Sequence, residues 1–452
     1  MSRSGRWSHL FTSIPFTPQR LKQFATGITD QGLAVGGMFL VNVVLARVQT
    51  KEEYGMFALS YSIFTFLSGL HNAVVLEPFT VYASGRYRDR FASYWRVMMG
   101  SNLVVGLILS AGLLFAYLLF RWAAPSLTSP SLLGLGLTVV FLLTGSFLRR
   151  SFYVLRQPAA AAKTSLLFFV IVALLLWLAA KGHQVNGFSV FLILALGWGI
   201  AALLLVRSLP CAKPEHAFLE SEPRYWRDHW TYTRWVLATA FVFQFTHQGY
   251  YWLVAGFLSV KDVGELKAMY VLIAPVEQVM ISLSFLFLPV LAAKYATRDM
   301  GAFLTFWKRY ALLTLGLTLT FALTVRLVGG RVIHLLYAGK FDELAPMLFP
   351  LAFVPLLFGI GNTISDAIRA AEKPRQIFYA FVASGCATFL LGVPSVKYFG
   401  LPGAVYGMLL SGATYAGSLA VAFRFDLRKR KAPVTVAIYN NATTLPNSGG
   451  AQ

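Results

Sequence analysis

Long apolar segments separated by short polar connections make up most of the chain. The apolar runs extend for about 18 to 25 residues, the length that an α-helix needs to cross the roughly 30 Å hydrocarbon core of a bilayer. The pattern therefore predicts an all-α polytopic membrane protein with about twelve transmembrane helices. The predicted spans are residues 24–47, 55–82, 94–120, 131–153, 160–180, 186–207, 231–257, 265–292, 305–328, 345–370, 376–396 and 401–423.

Two pairs of similar stretches indicate that the chain contains two pseudo-repeated halves. The sequence EEYG at 52–55 opens the second span, and KDVG at 261–264 stands at the corresponding place about 209 positions later. The sequences LRQP at 155–158 and AEKP at 371–374 are related in the same way, about 216 positions apart. Duplicated halves in an apolar chain are typical of transporters built around a central cavity.

Polar stretches divide the chain into two six-helix lobes. We predict a basic amphipathic N-terminal segment at 1–23, an N-lobe of spans one to six at 24–207, a cytoplasmic linker at 208–230, a C-lobe of spans seven to twelve at 231–424, and a basic stop followed by a disordered tail at 425–452. The linker is placed there because residues 208–227 form the longest internal polar stretch and contain three prolines.

Composition and charge support this interpretation. Hydrophobic residues make up 57% of the chain and charged residues 13%, which excludes a soluble globular protein. The net charge of +21 does not indicate nucleic-acid binding, because the basic residues lie at the ends of apolar runs. When successive connections are assigned to opposite sides of the membrane, one side carries 29 of the 39 Lys and Arg residues and the other carries 10. We call these the charge-rich and charge-poor sides; the positive-inside rule predicts that the charge-rich side, with both termini, is cytoplasmic.

The connection between spans one and two carries a family resemblance. With LAR at 45–47 and KEEYGMFA at 51–58, the chain resembles the polysaccharide flippases of the MATE-like multidrug/oligosaccharidyl-lipid/polysaccharide exporter superfamily, which typically show ARxxxxxEYGxFA at this place. The resemblance covers residues 20–425 and implies two lobes in a V around a central cavity. It also implies that a polyprenyl-pyrophosphate oligosaccharide moves from the inner to the outer leaflet by alternating access, for surface polysaccharide assembly. Lipid II flippases of this superfamily usually have fourteen spans, so the count here favours an O-antigen, exopolysaccharide or capsule carrier.

The same resemblance implies the partners. They are the lipid-linked cargo, the lipid bilayer of a bacterial inner membrane, H⁺ or Na⁺ as a coupling ion, and polysaccharide polymerase components. No cofactor and no enzymatic activity are expected, because the sequence has no phosphate-binding loop, HExxH motif, GxSxG motif or Cys/His metal spacing.

Two alternative functions remain. A cation-coupled multidrug antiporter would have the same fold but a small cationic ligand. A polytopic glycosyltransferase or polymerase working at the outer face would share the hydropathy, but it needs a sizeable outer loop, and the longest predicted outer connection has about fifteen residues.

Cationic, amide and aromatic side chains near the spans are candidates for binding the cargo. Pyrophosphate requires cations, and sugars require hydrogen-bonding groups and aromatic faces. The candidate substrate-binding residues are Arg47, Arg149, Arg150, Arg369, Gln244, His247, Gln248, Tyr251 and Asn362. The arginines lie within two turns of helix ends, so membrane-surface anchoring is the alternative interpretation for them. The four residues from Gln244 to Tyr251 follow the spacing i, i+3, i+4, i+7 and share one helix face; an interhelical hydrogen-bond cluster is the alternative for them.

Four acidic residues fall within the predicted spans. They are Asp30, Glu77, Glu277 and Asp366. Charges inside a membrane are costly and therefore call for a partner or a function. We predict ion coupling by these residues, with Glu277 and Asp30 as the first candidates for proton or sodium entry. The alternative is that each acid pairs with a neighbouring arginine to fix helix packing.

Overall fold

The computed structural model describes residues 18–123, 129–209 and 223–431. Most of the predicted N-terminal segment, most of the linker and most of the C-terminal tail lie outside these ranges, as does Cys211. All regular elements in the described ranges are helical. This confirms the predicted fold class, an all-α polytopic membrane protein.

The described residues of the N-terminal half form seven α-helices. They are α1 Pro18–Val48, α2 Lys51–His71, α3 Glu77–Ser84, α4 Phe91–Ala123, α5 Pro130–Val154, α6 Pro158–Lys181 and α7 Gly187–Val206. A π-helical turn, Asn72–Leu76, joins α2 to α3, and a 3₁₀ turn, Arg88–Arg90, precedes α4. The π turn stands directly before Pro78, where a regular α-helix would bring the proline ring against the carbonyl group of Val74.

From residue 223 to residue 431, the C-terminal half forms another seven α-helices. They are α8 Pro223–Phe257, α9 Val260–Ala296, α10 Met300–Tyr337, α11 Ala345–Leu351, α12 Val354–Ala370, α13 Pro374–Ala387 and α14 Val393–Lys431. A 3₁₀ turn, Asp342–Leu344, precedes α11, and a π-helical turn, Thr388–Gly392, joins α13 to α14. Gly400 has a left-handed φ of 65° and divides α14 into two helices.

These elements account for the twelve predicted spans. Ten helical stretches of the described chain are long and apolar enough to cross a membrane. One of them, residues 374–425, contains two predicted spans because it includes the break at Gly400. The remaining predicted span is the hydrophobic part of α8, a helix rich in polar residues that is not among the ten. The chain is therefore a multi-pass membrane protein.

The two pairs of similar sequences adopt the same local structures. Thr50 Oγ1 accepts a hydrogen bond from the Glu53 N–H at 3.1 Å and caps α2, and Ser259 Oγ accepts one from the Asp262 N–H at 3.2 Å and caps α9. Both pairs are 209 positions apart, as the sequence repeat requires. An N-cap that satisfies a free N–H group fixes where a helix begins.

The second pair of similar sequences forms the same helix end. Arg156 and Glu372 both adopt left-handed backbone conformations, with φ of 58° and 59°. The next N–H group in each case bonds the carbonyl five residues earlier, from Gln157 to Phe152 at 2.8 Å and from Lys373 to Ile368 at 3.2 Å. This is the hydrogen-bond pattern of a Schellman motif, here without glycine. The repeat therefore extends to backbone geometry.

The lobes are packed together at the charge-poor side. In the N-lobe, α1 packs against α6, and α5 packs against α4 and α7; in the C-lobe, α12 packs against α10 and α14. The largest buried cluster contains residues of both lobes, including Tyr54 and Phe57 from α2, Leu266 and Met269 from α9, and Phe341 after α10. Two smaller clusters lie toward the charge-rich side, one built mainly within each lobe.

Candidate functional site

A cavity of about 1010 Å³ lies between the lobes. Helices α1 and α2 of the N-lobe and α8 and α9 of the C-lobe form its wall, and Arg149 of α5 reaches it. Its lining extends from Asn42 and Lys267 near the charge-poor side toward Ile28 and Leu286 nearer the charge-rich side. The volume is at the upper end of the range for small-molecule sites, about 300–1,000 Å³, so a bulky polar headgroup can enter it.

The predicted polar face of α8 lines this cavity. Gln244, His247, Gln248 and Tyr251 all belong to the wall. The Nε2 atom of His247 and the hydroxyl group of Tyr251 are buried and have no hydrogen-bond partner among the described residues. Buried polar atoms normally have partners. These two atoms can therefore form hydrogen bonds with water or with a molecule that enters the cavity.

Lys267 of α9 places an ammonium group in the cavity. Its Nζ lies 4.6 Å from the ring centroid of Tyr61 and 5.8 Å from that of Tyr251, both within the range of cation–π attraction. Among the described residues, this group has neither a hydrogen bond nor an ion pair within 4.0 Å. The positive charge is therefore available to an anionic ligand.

Glu277 lies on the same face of α9, ten residues after Lys267. Its Oε1 accepts a hydrogen bond of 2.5 Å from the Tyr270 hydroxyl group, and both side chains line the cavity. Lys267 and Glu277 do not form an ion pair within 4.0 Å, but their opposite charges attract each other electrostatically. The cavity thus presents one cation and one carboxylate from the same helix.

Arg149 lines the cavity, but its charge is held by Asp30. Its Nε and Nη2 atoms donate hydrogen bonds of 2.7 to 3.0 Å to the Asp30 carboxylate, which is fully buried. Tyr153 and Ser165 donate two more hydrogen bonds to the same carboxylate, each 2.5 Å long. This arrangement matches the predicted alternative for Asp30, an acid paired with an arginine within the N-lobe.

The remaining predicted site residues do not line the cavity. Arg150 donates a hydrogen bond of 3.0 Å to Asn72, and Glu77 accepts one of 3.2 Å from Tyr232. Asn362 accepts a hydrogen bond from Tyr415, and Asp366 accepts one from Tyr310.

Two predicted arginines lie outside the cavity in different surroundings. The side chain of Arg369 is 52% exposed and lies 3.9 Å from Asp366, whereas Arg47 is at the charge-poor surface and donates to carbonyl groups of α10.

Sequence reasoning missed Lys267 and Tyr270. Lys267 lies only two turns inside α9, so the positive-inside pattern of the helix ends accounts for it equally well. The signal was a helical stripe, because Lys267, Tyr270 and Glu277 recur at i, i+3 and i+10 on one side of the helix. A polar stripe at this spacing in an apolar helix predicts a face turned toward water or other polar groups.

Comparisons with known proteins concern the fold. No protein family model and no curated protein matches the sequence. An inward-facing multidrug resistance MATE family transporter of the MOP superfamily superposes with a TM-score of 0.71 at 13% identity, over 89% of this chain and 96% of that one. An outward-facing MATE family transporter gives a TM-score of 0.65 at 12% identity, over 91% and 96%. The lipid II flippase MurJ in an inward closed conformation gives 0.64 at 14% identity, over 87% and 86%.

These similarities define the class of architecture. The chain has the fold of MATE-like transporters, with two helical lobes around a central cavity. At such low sequence identity the shared fold does not identify the function of this chain. A function has to be inferred from the side chains in the cavity.

Proposed function

We propose that the protein is a flippase that carries a polyprenyl-pyrophosphate oligosaccharide from the inner to the outer leaflet by alternating access. The observation that carries this proposal is the ammonium group of Lys267, which stands in the cavity with no carboxylate within 4.0 Å among the described residues, although it attracts Glu277 at longer range. A pyrophosphate group would supply a direct anionic partner. Arg149 is less suited to this role because Asp30 already neutralises it.

The rest of the cavity wall suits the other parts of such a cargo. His247, Gln248 and Tyr251 offer hydrogen-bonding groups for sugar hydroxyls, and the rings of Tyr61 and Tyr251 offer apolar faces. Ile28 of α1 and Val279 of α9 line the cavity and are about half exposed at its edge, with 45% and 43% of their surfaces accessible. An apolar lipid chain can lie along these residues while the headgroup occupies the cavity.

The positive-inside rule gives the direction of transport. We propose that the charge-rich side faces the cytoplasm of a bacterium, so that the cavity receives its cargo from the inner leaflet of the cell membrane. In this scheme the product serves surface polysaccharide assembly, together with polymerase components. Glu277 is the proposed coupling residue, because it is a carboxylate in the cavity that can exchange a proton or bind sodium as the cavity opens to either side.

A second candidate function rests on the same carboxylate. Glu277 and the neighbouring ring of Tyr270 are groups that attract an organic cation. A cation-coupled multidrug antiporter would therefore bind its ligand at Glu277 and would be disfavoured by the charge of Lys267. The flippase and the antiporter therefore predict opposite effects of substitutions at Lys267 and Glu277, which both lie on α9.

The test is a transport assay with purified protein in proteoliposomes. The cargo is a fluorescent polyprenyl-pyrophosphate oligosaccharide, followed by a membrane-impermeant quencher with and without a proton gradient. We expect protein-dependent translocation that falls at least about tenfold in Lys267→Gln, because the cation that holds the pyrophosphate is removed. The control Lys397→Gln removes an exposed lysine from the charge-poor side and leaves the rate unchanged.

A second substitution separates the candidates. If the protein is a flippase with Glu277 as its coupling residue, Glu277→Gln retains gradient-independent exchange of the labelled lipid but abolishes its acceleration by the gradient. Gradient-driven uptake of a cationic dye that is lost in Glu277→Gln and enhanced in Lys267→Gln, without lipid translocation, would instead establish the drug antiporter.

A further inference from the structure

The two repeated helix starts meet at the charge-poor side. A Cβ atom on Gly55 of α2 would lie 1.8 Å from the carbonyl oxygen of Val260, and a Cβ atom on Gly264 of α9 would lie 2.6 Å from the carbonyl oxygen of Lys51. Val260 and Gly264 stand 209 positions after Lys51 and Gly55, so the two contacts are equivalent in the two halves. The helices cross backbone to backbone, and only glycine permits this approach.

Two basic residues join the lobes beside this crossing. Arg47, at the end of α1, donates hydrogen bonds from Nε to the carbonyl of Leu336 at 2.5 Å and from Nη2 to the carbonyl of Leu335. These carbonyls belong to the last turn of α10. A cation at a helix C-terminus is favourable, because the terminal carbonyl groups lack helical partners and carry partial negative charge.

Lys340 makes the reciprocal contact. It follows the end of α10, and its Nζ donates hydrogen bonds to the carbonyl groups of Ala46 at 2.9 Å, Arg47 at 2.8 Å and Gln49 at 2.5 Å. Each lobe thus places a cation on the helix end of the other. Burial, and then the nearby charge of Lys51, lower the pKa of Lys340.

Lys51 adds a third connection between the lobes. Its Nζ lies 3.0 Å from Glu265 Oε1 and also bonds Glu343. The side chains of Lys51 and Glu265 are largely buried, at 15% and 8% exposure, whereas Glu343 is at the surface with 61%. The charges of this surface are therefore compensated across the junction of the two lobes.

We propose that Arg47, Lys51, Gly55, Gly264 and Lys340 form a latch that closes the cavity toward the charge-poor side and separates in each transport cycle. The inference rests on the proposed alternating-access function. It gives Arg47 a role in closure instead of the predicted role in substrate binding.

The chemistry of the latch allows it to open. The backbones of α2 and α9 touch directly at the glycine crossing, so this contact parts without repacking of long side chains. Opening also separates the buried rings of Tyr54 and Phe341, which come from different lobes and lie 6.1 Å apart. Arg47, Lys340 and Glu343 are partly or largely exposed, so water can replace their contacts when the lobes separate. Such exposed contacts are individually weak. The Lys51–Glu265 pair is largely buried, and closure depends on the combination of these contacts.

The test measures access to the cavity without any cargo. Cys211 and Cys386 are replaced by serine and alanine, and Met38→Cys places a reporter thiol in the cavity wall. Sealed vesicles with the charge-poor side outward are treated with a membrane-impermeant maleimide. We expect Gly55→Ala, Gly264→Ala and Lys340→Gln to label at least about tenfold faster than the parent, which corresponds to a loss of about 1.4 kcal/mol from the closed state.

Matched controls exclude a nonspecific increase in the accessibility of the reporter thiol. A Cβ atom on Gly256, near the same side of the membrane, would meet no atom within 4 Å, so Gly256→Ala leaves the labelling rate unchanged. Lys397→Gln is the corresponding control for Lys340→Gln. If a glycine variant does not yield a monodisperse protein, Lys340→Gln still tests the latch, since it changes one partly exposed side chain.

The outcomes distinguish a failure of the proposed latch from a failure of the proposed cargo. Equal labelling of Lys340→Gln and the parent, or an equal increase in Gly256→Ala, would overturn the latch whether or not lipid is transported. Faster labelling in all three latch variants, without translocation of the labelled lipid by the parent, would support the latch and reject the proposed cargo.

Discussion

At the scale of single residues, Asp30 and Arg149 show how two opposite charges compensate each other inside a membrane protein. The carboxylate has no exposure to solvent and accepts hydrogen bonds from Arg149, Tyr153 and Ser165. Arg149 is 18% exposed and reaches the cavity. Removing one partner of a buried pair leaves the other charge uncompensated, whereas removing both can be nearly neutral.

This arrangement predicts non-additive stabilities. We expect Arg149→Met to lower the free energy of unfolding by about 3–5 kcal/mol, because Asp30 then remains buried without its cation. Asp30→Asn should lower the free energy of unfolding by a smaller amount, because the charge of Arg149 borders the cavity and is not fully buried. The double variant Asp30→Asn/Arg149→Met should recover most of the loss. Thermal unfolding in detergent at pH 7.5 measures all three, and strictly additive losses would rule out a structural role for the pair.

His229, at the charge-rich end of α8, gives the chain a pH-dependent stability. It is buried beside Tyr94, whose hydroxyl group bonds its Nε2 atom. Burial lowers its pKa to about 4, although the charge of Asp228 acts in the opposite direction. The unfolded chain binds a proton at the ordinary pKa of about 6.5. The stabilisation is therefore complete above about pH 6.5 and is lost as the pH falls toward 4.

We expect the unfolding temperature of the protein to fall between pH 7.5 and pH 5, and His229→Gln to reduce this fall. His183→Asn, at an exposed histidine with a left-handed backbone that asparagine tolerates, serves as the control and should retain the full slope. A slope that is identical in all three proteins would show that His229 does not contribute.

At the scale of elements, α8 belongs to both lobes. Near its beginning, Asp228 bonds Tyr87 at 2.6 Å and Arg86 at 2.6 Å, and Tyr225 is buried in the N-lobe cluster. Its later turns pack against α13 and α14. The predicted boundary at residue 231 therefore falls inside a helix that starts at Pro223 and connects the lobes mechanically.

Tyr250 illustrates how the later turns of α8 are fixed. Its hydroxyl group bonds Ser411 at 2.8 Å, and its ring lies between Gly392 and Gly407. A Cβ atom on either glycine would lie 2.7 Å from this side chain. The glycines of the π turn and of α14 thus provide the space into which a large aromatic residue of α8 fits.

We expect Gly407→Ala to destabilise the protein by about 1–3 kcal/mol, the usual cost of overpacking a filled interior. Gly417→Ala lies on the same helix and would meet no atom within 4 Å, so it should have no such cost. Thermal unfolding of the two variants in parallel provides the comparison. Equal unfolding temperatures would mean that the Tyr250 ring can move aside.

At the scale of the whole molecule, the cavity owes its character to the meeting of two lobes. Lys267 and Glu277 come from one lobe, Tyr61 comes from the other, and the latch uses residues of both. A shared fold permits lipid and drug transport alike. For this reason the decisive comparison is between Lys267→Gln and Glu277→Gln in one transport assay.

The sequence by itself determined the helices and their order. Apolar runs, helix caps such as Thr50 and Ser259, and turn positions such as Arg156 and Glu372 are local features, and local hydrogen bonds satisfy them. In a membrane the backbone must be satisfied within the helix, which makes such signals reliable. Helical periodicity also predicted that residues 244–251 share a polar face, and this face lines the cavity.

Only the tertiary structure decided which charged side chains remain available to bind a ligand in the cavity. Periodicity gives the direction of a side chain on its own helix but not the group it meets on another, so the sequence could not show that Arg149 is neutralised by Asp30, 119 positions away. It likewise could not separate Lys267 in the cavity from Arg47 and Lys340 at the closure. The last three cations, Lys267, Arg47 and Lys340, all lie near helix ends on the charge-poor side. Only their contacts between the lobes distinguish them.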